Sequence, residues 1–122
     1  MIRGIGTDII EIDRISRAVK KDYFLKRAFS DSEIAMAKER NTDVFLAGNF
    51  AVKEAFVKAL GIGFRGIGLK DLEVLRDKYG KPFIRICNPE NIHLMDINEK
   101  NIYVSISNTN SLAVAMVVIE VD

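Results

Sequence analysis

Asn49–Gly61, NFAVKEAFVKALG, decides the fold. At about 100° per residue, Phe45, Val52, Phe56 and Ala59 fall on one side of a helix, and Leu46, Phe50, Val57 and Leu60 on another. A helix apolar around most of its circumference is buried rather than half-exposed. This one nevertheless carries Lys53, Glu54 and Lys58. A buried charge is costly unless paired, hydrogen-bonded or bound to a metal, so Glu54 needs a partner. The small residues Ala47, Ala51 and Gly61 on its face leave room for one. Glu54 and Lys58 are four residues apart with the acid first, which also suits a simple helix ion pair. The segment alone leaves a structural pair and a functional site equally open.

Working outward, Asn41-Thr42-Asp43 starts this helix, and Ser30-Asp31-Ser32-Glu33 is a capping box for a helix before it, ending near Arg40. Glu33 therefore has a structural task. A first strand is expected over Met1–Asp8, with Gly4, Gly6 and Asp8 on one face. Glycines in a strand mark the approach of a ligand or another backbone, and these suggest open space beside Asp8. A helix over Asp13–Lys21 carries Arg14, Arg17 and Lys21 at helical spacing, and a short one over Tyr23–Phe29 adds Lys26 and Arg27. That basic surface suits solvation or the docking of an acidic partner.

From Gly61 on, the glycines at 61, 63, 66 and 68 read as a mobile connector, free to shape a site edge; they lack the ending of a phosphate-binding P-loop. Strands over Leu72–Arg76 and Pro82–Cys87 flank a hairpin turn at 77–81, and a short helix is expected over Asn88–Met95. Ile102–Ser107 alternates as a half-buried strand. Leu112–Val121 is nearly all apolar and reads as a strand buried on both faces, with helices on one side and a subunit neighbour on the other. The fold class is α+β: one domain over 1–122, an antiparallel sheet packed against helices that include one long buried helix.

The net charge of +1 gives no global pull toward nucleic acid or membrane. A single cysteine, Cys87, excludes an internal disulfide and reads as packing. With no apolar signal core and no run long enough to span a bilayer, a cytoplasmic location is expected. The lone histidine, His93, gives no zinc cluster and no Ser–His–Asp triad.

Asp8 and Glu54 together offer hard oxygen donors suited to Mg²⁺, which is held by one or two carboxylates plus substrate phosphates. Lys58, one turn beyond Glu54, reaches toward a phosphate oxygen. The chemistry these residues suggest is Mg²⁺-dependent work on a phosphate ester or anhydride.

GIGTDI (4–9), FLAGNFAVKEAFVKALG (45–61) and YVSISNT (103–109), in this order and spacing, resemble the bacterial holo-[acyl-carrier-protein] synthases, the small phosphopantetheinyl transferases. The resemblance covers nearly the whole chain. It implies transfer of 4′-phosphopantetheine from coenzyme A to a serine of acyl carrier protein, in support of fatty acid biosynthesis. It implies Asp8 and Glu54 as Mg²⁺ ligands and Lys58 as a phosphate-facing catalytic group beside Glu54. Gly80, Lys81, Pro82, Asn108 and Thr109 border the adenosine 3′-phosphate in this analogy. It also implies a homotrimer with shared active sites, and carrier docking on Arg14, Arg17 and Lys21. Asn108 stands where the family pattern usually has histidine; an amide binds phosphate but carries neither charge nor proton, so a binding role is expected. Two other readings remain: an adaptor for an acidic protein, with Glu54–Lys58 merely structural, and a Mg²⁺-dependent nucleotide hydrolase.

Overall fold

The computed structural model describes residues 1–91 and 93–121. Strand β1 (Ile2–Glu11) is followed by helices α1 (Ile12–Ala18), α2 (Asp22–Ala28), α3 (Asp31–Lys38) and α4 (Thr42–Leu60). Strands β2 (Leu72–Arg76), β3 (Pro82–Ile86), β4 (Ile102–Asn108) and β5 (Leu112–Glu120) complete the chain. One antiparallel sheet has the order β1-β5-β4, and β2-β3 forms a separate hairpin. The α+β class with antiparallel pairing is as expected, although one sheet was anticipated and there are two.

Helix α4 is the centre of the core. Phe45, Leu46, Val52, Phe56 and Val57 are buried, with Ala47, Ala51 and Ala55 between them. Asn41 caps its start by accepting from the Val44 amide, and Gly61 ends it in the left-handed region at φ 79°. A residue with a side chain would be strained there. None of the described helices is long and apolar enough to cross a membrane.

The glycines of β1 have a different purpose from the open space expected beside Asp8. A Cβ on Gly6 would lie 1.9 Å from the Ala55 carbonyl oxygen, and one on Gly4 1.9 Å from that of Ala59. The helix backbone itself fills that space. Gly6→Ala must push α4 off the sheet, and should cost at least about 2 kcal/mol by the general cost of overpacking a core. Urea denaturation would measure it; an unchanged midpoint would show that strand and helix part easily.

Several boundaries differ. β1 runs three residues past Asp8, because Ile9, Ile10 and Glu11 continue the ladder opposite Val114, Ala113 and Leu112. Asp8 thus lies within the strand, opposite Ala115, rather than at its end. α1 stops at Ala18, and Lys21 becomes the residue before α2 instead of extending the stripe of Arg14 and Arg17. The helix expected over 88–95 is a run of turns in the residues described there, with Ile92 outside them. β5 is buried on one face only. Ala113, Ala115, Val117 and Ile119 point to α4, while Met116 is 48% exposed on the other face. Ile5, Ile9, Val114 and Tyr103 are exposed as well, and the ladder pairs Ile9 with Val114 and Tyr103 with Val118.

Candidate active site

The close contact of β1 with α4 brings Asp8 to the Lys58 side chain. Lys58 Nζ is 3.3 Å from Asp8 Oδ1 and donates to the Thr7 carbonyl at 3.0 Å. Lys58 therefore pairs with the strand, not with Glu54 along its own helix. The Asp8 side chain is largely covered and that of Lys58 is more than half exposed. Glu54 is partly buried; loss of solvent raises its carboxyl above the usual range, and the charge of Asp8 adds to the rise. Lys58 and Arg14 pull it back. Two carboxylates and a lysine, from segments about fifty residues apart, thus share one electrostatic neighbourhood.

The fully buried charge on α4 is Lys53, not Glu54. Its ammonium lies 2.7 Å from Glu33 Oε1, 2.8 Å from the Ala28 carbonyl and 5.2 Å from the centre of the Phe29 ring. Burial lowers its pKa, against the pull of Glu33. Glu33 closes the expected capping box with Ser30 and also accepts from Asn49 Nδ2 at 2.9 Å and the Val74 amide at 3.3 Å. The cluster ties α3, α4 and β2 together.

Glu54 also lines a cleft of about 350 Å³ with Arg27, Phe64, Ile67, Gly68 and Leu69. The glycine-rich connector thus lines this cleft. His93 backs this connector from outside, within 3.2 Å of where a Gly66 Cβ would stand, which makes it a packing residue. Cys87 rests its thiol near Glu73, and partial burial and that carboxylate push it up to about 11, far from a nucleophile.

A second cavity of about 290 Å³ lies at the start of α4 and includes Gly80, Pro82 and Asn108 in its lining. Lys81 is exposed outside that lining, with its amide bonded to Asp77. The Thr109 hydroxyl is engaged in the turn, accepting from the amides of Ser111 and Leu112. Three residues that the sequence reading did not assign to any site, Arg40, Phe45 and Arg76, also line this cavity. The guanidinium of Arg76 sits 4.5 Å from the centre of the Phe45 ring and that of Arg40 5.6 Å. From Phe45 to Glu54 the helix rises ~14 Å, so the two regions are separate within the chain.

Arg14, Arg17 and Lys21 are exposed, and the charge of Arg14 reaches Glu54; Ser16 Oγ bonds to Asp43 at 2.7 Å and fixes α1 against α4.

A model of the 4′-phosphopantetheinyl transferase superfamily matches residues 4–117. The holo-[acyl-carrier-protein] synthase of Clostridium botulinum strain Eklund 17B is 49% identical over 99% of both chains. Among solved structures, the holo-(acyl-carrier-protein) synthase of Bacillus anthracis, in complex with CoA (3′,5′-ADP), superposes with a TM-score of 0.83 at 36% identity, covering 100% of this chain and 99% of that one. The Helicobacter pylori holo-[acyl-carrier-protein] synthase, in complex with coenzyme A, gives 0.82 at 34% identity over 95% and 99%.

Proposed function

Because the chain belongs to the 4′-phosphopantetheinyl transferase superfamily, we propose that its 122 residues work as one domain that moves 4′-phosphopantetheine from coenzyme A to a serine of apo acyl carrier protein. The carrying observation is the meeting of Asp8, Glu54 and Lys58 across the β1–α4 contact. The serine Oγ attacks the β-phosphorus of the pyrophosphate. A new Oγ–P bond forms as the anhydride P–O bond breaks, and 3′,5′-ADP leaves with the electron pair. The serine proton leaves to Glu54 or to a water held beside it. Lys58, its ammonium reaching solvent, steadies charge growing on the phosphate oxygens.

Asp8 and Glu54 fit Mg²⁺, since their like charges are forced together and this ion needs only one or two carboxylates beside water and phosphate. Bound there, Mg²⁺ supplies charge neutralisation on the pyrophosphate. The cavity at Gly80, Pro82 and Asn108 suits the adenosine end, with Asn108 as a hydrogen-bonding group and Lys81 and Thr109 at its border. On one protomer that end lies far from Glu54. The exposed apolar sheet face of Ile5, Ile9, Met116 and Tyr103 favours a homotrimer in which the cavity of one subunit meets the carboxylates of the next. The single cysteine fits a reducing cytoplasm, where the carrier would serve fatty acid biosynthesis.

The test is the intact mass of apo carrier after incubation. A gain of one phosphopantetheine requiring coenzyme A, Mg²⁺ and Glu54 supports the reading. Release of 3′,5′-ADP without any carrier would make the protein a hydrolase instead. An unlabelled carrier that still binds would make it an adaptor.

Arg14 and Arg17 present the acidic carrier with exposed positive charge beside the site. Reversing both to Glu should raise the carrier KM about tenfold or more at low salt and flatten its salt dependence, with the coenzyme A KM within about twofold. Equal loss of both affinities in steady-state kinetics would show that α1 is no dedicated docking face.

A further inference from the structure

Lys58 holds the same carboxylate that a divalent cation would need. Its Nζ lies 3.3 Å from Asp8 Oδ1 and donates to the Thr7 carbonyl at 3.0 Å. Among the described residues, Asp8 is its one ion-pair partner. Glu54 lies one turn back on the same helix face. Of the cations that draw its carboxyl down, Lys58 acts more strongly than Arg14. Both carboxylates are thus already answered by positive charge from the chain itself. The main chains leave no slack for a further ion. β1 rests directly on the carbonyls of Ala55 and Ala59, which fixes the spacing of the Asp8 and Lys58 backbones. What can move is the Lys58 side chain, 56% exposed where that of Asp8 is 17% exposed, on a flexible stem.

A dication added alone gives this cluster an excess of positive charge and sets itself against the ammonium at close range. A pyrophosphate arriving with it restores the balance and offers the ammonium new oxygens. Building on the reading of Asp8 and Glu54 as the carboxylates for Mg²⁺, we propose that Lys58 gates the cation: it occupies Asp8 in the free protein and releases it when a phosphate anhydride draws the ammonium away. Metal and coenzyme A then bind together, each raising affinity for the other by the same factor. The two positions of Lys58, on Asp8 or on phosphate, are the two states which that coupling requires. Free metal therefore does not fill the site ahead of the substrate.

The experiment counts bound Mn²⁺ by electron paramagnetic resonance on the whole chain, since oxygen donors that suit Mg²⁺ also suit Mn²⁺. Without coenzyme A, wild type should bind with a Kd of about 1 mM or weaker, the weak end of carboxylate sites. Lys58→Gln should bind about 10-fold tighter or more, from a freed Asp8 and lost repulsion. Lys58→Arg keeps the charge and should stay within about threefold of wild type. Adding Asp8→Asn to Lys58→Gln should cancel the gain. Coenzyme A, with its own Mn²⁺ binding subtracted from a protein-free titration, should tighten wild type by a larger factor than Lys58→Gln. A wild-type Kd of about 10 µM or tighter without coenzyme A overturns the proposal, and needs no variant that could misfold. Lys58→Gln no tighter than wild type, a gain that survives Asp8→Asn, or equal tightening by coenzyme A overturns it as well. Carrier left unlabelled by a wild type whose Lys58→Gln form gains Mn²⁺ would sink the transfer reaction and leave the gate standing. Carrier labelled normally by wild type, with no gain in Lys58→Gln, would sink the gate alone.

Discussion

Glu54→Gln should stop phosphopantetheine transfer, by about 1000-fold or more in kcat, while leaving the protein at least as stable as before. The rate loss combines a missing proton acceptor with a weakened Mg²⁺ site, each of which is commonly worth orders of magnitude. The stability half of the statement comes from the structure. Loss of solvent and the charge of Asp8 both disfavour ionised Glu54. A folded-state pKa raised in this way contributes stability at low pH and withdraws it as pH rises through the folded value. A neutral amide of the same shape removes that penalty at neutral pH. Carrier mass spectrometry and a thermal melt on one preparation test both halves. A variant that melts well below wild type would mean that Glu54 holds the fold together and that its role is structural.

Lys53→Met is expected to have the largest effect on stability, a loss of about 3–5 kcal/mol, because it strands the buried Glu33 carboxylate without its cation. Lys53 and Glu33 are both fully inaccessible, and Glu33 loses its ion-pair partner. The Ala28 carbonyl loses its donor as well. The cluster anchors α3 and β2 to α4 within one residue of Glu54, so whatever remains folded should also lose activity. Guanidinium denaturation of the variant measures the loss. A midpoint shift worth less than about 1 kcal/mol would show that the pair is well replaced by apolar contact, as happens when both ions are removed together.

Local pattern made much of this molecule readable. The capping box at Ser30–Glu33, the start of α4 at Asn41 and its end at Gly61 follow from side-chain chemistry within a few residues. The hairpin of β2 and β3 and the alternation of β4 are equally local. Helix periodicity also showed that α4 must be buried, but the argument that a buried charge needs a partner was applied to Glu54 when it belonged to Lys53. The signal was present: Asn49 and Lys53 are four residues apart, hence on one face, and Phe56 and Val57 flank Lys53 one turn on. What that signal lacked was the partner, because Glu33 was fully explained by its cap. Arg40, Phe45 and Arg76 escaped for a related reason. Each is ordinary in its own segment, and only the packing of the β2–β3 hairpin near the start of α4 brings them together. The length of β1 was underestimated because its last three residues are fixed by β5, more than a hundred positions away. The expected helix at 88–95 rested on a proline-led start alone.

The bare contact of Gly4 and Gly6 with the carbonyls of Ala59 and Ala55 has a bearing on engineering. Distances near Asp8 and Lys58 are set by main chain resting on main chain, with no intervening side chain to act as a compressible spacer. Aliphatic residues elsewhere in the interior can then be exchanged for similar ones with little drift of the catalytic groups. A single added methyl at this seam would misalign them all at once, so the two smallest residues of the first strand are the dimensional standard of the reaction centre.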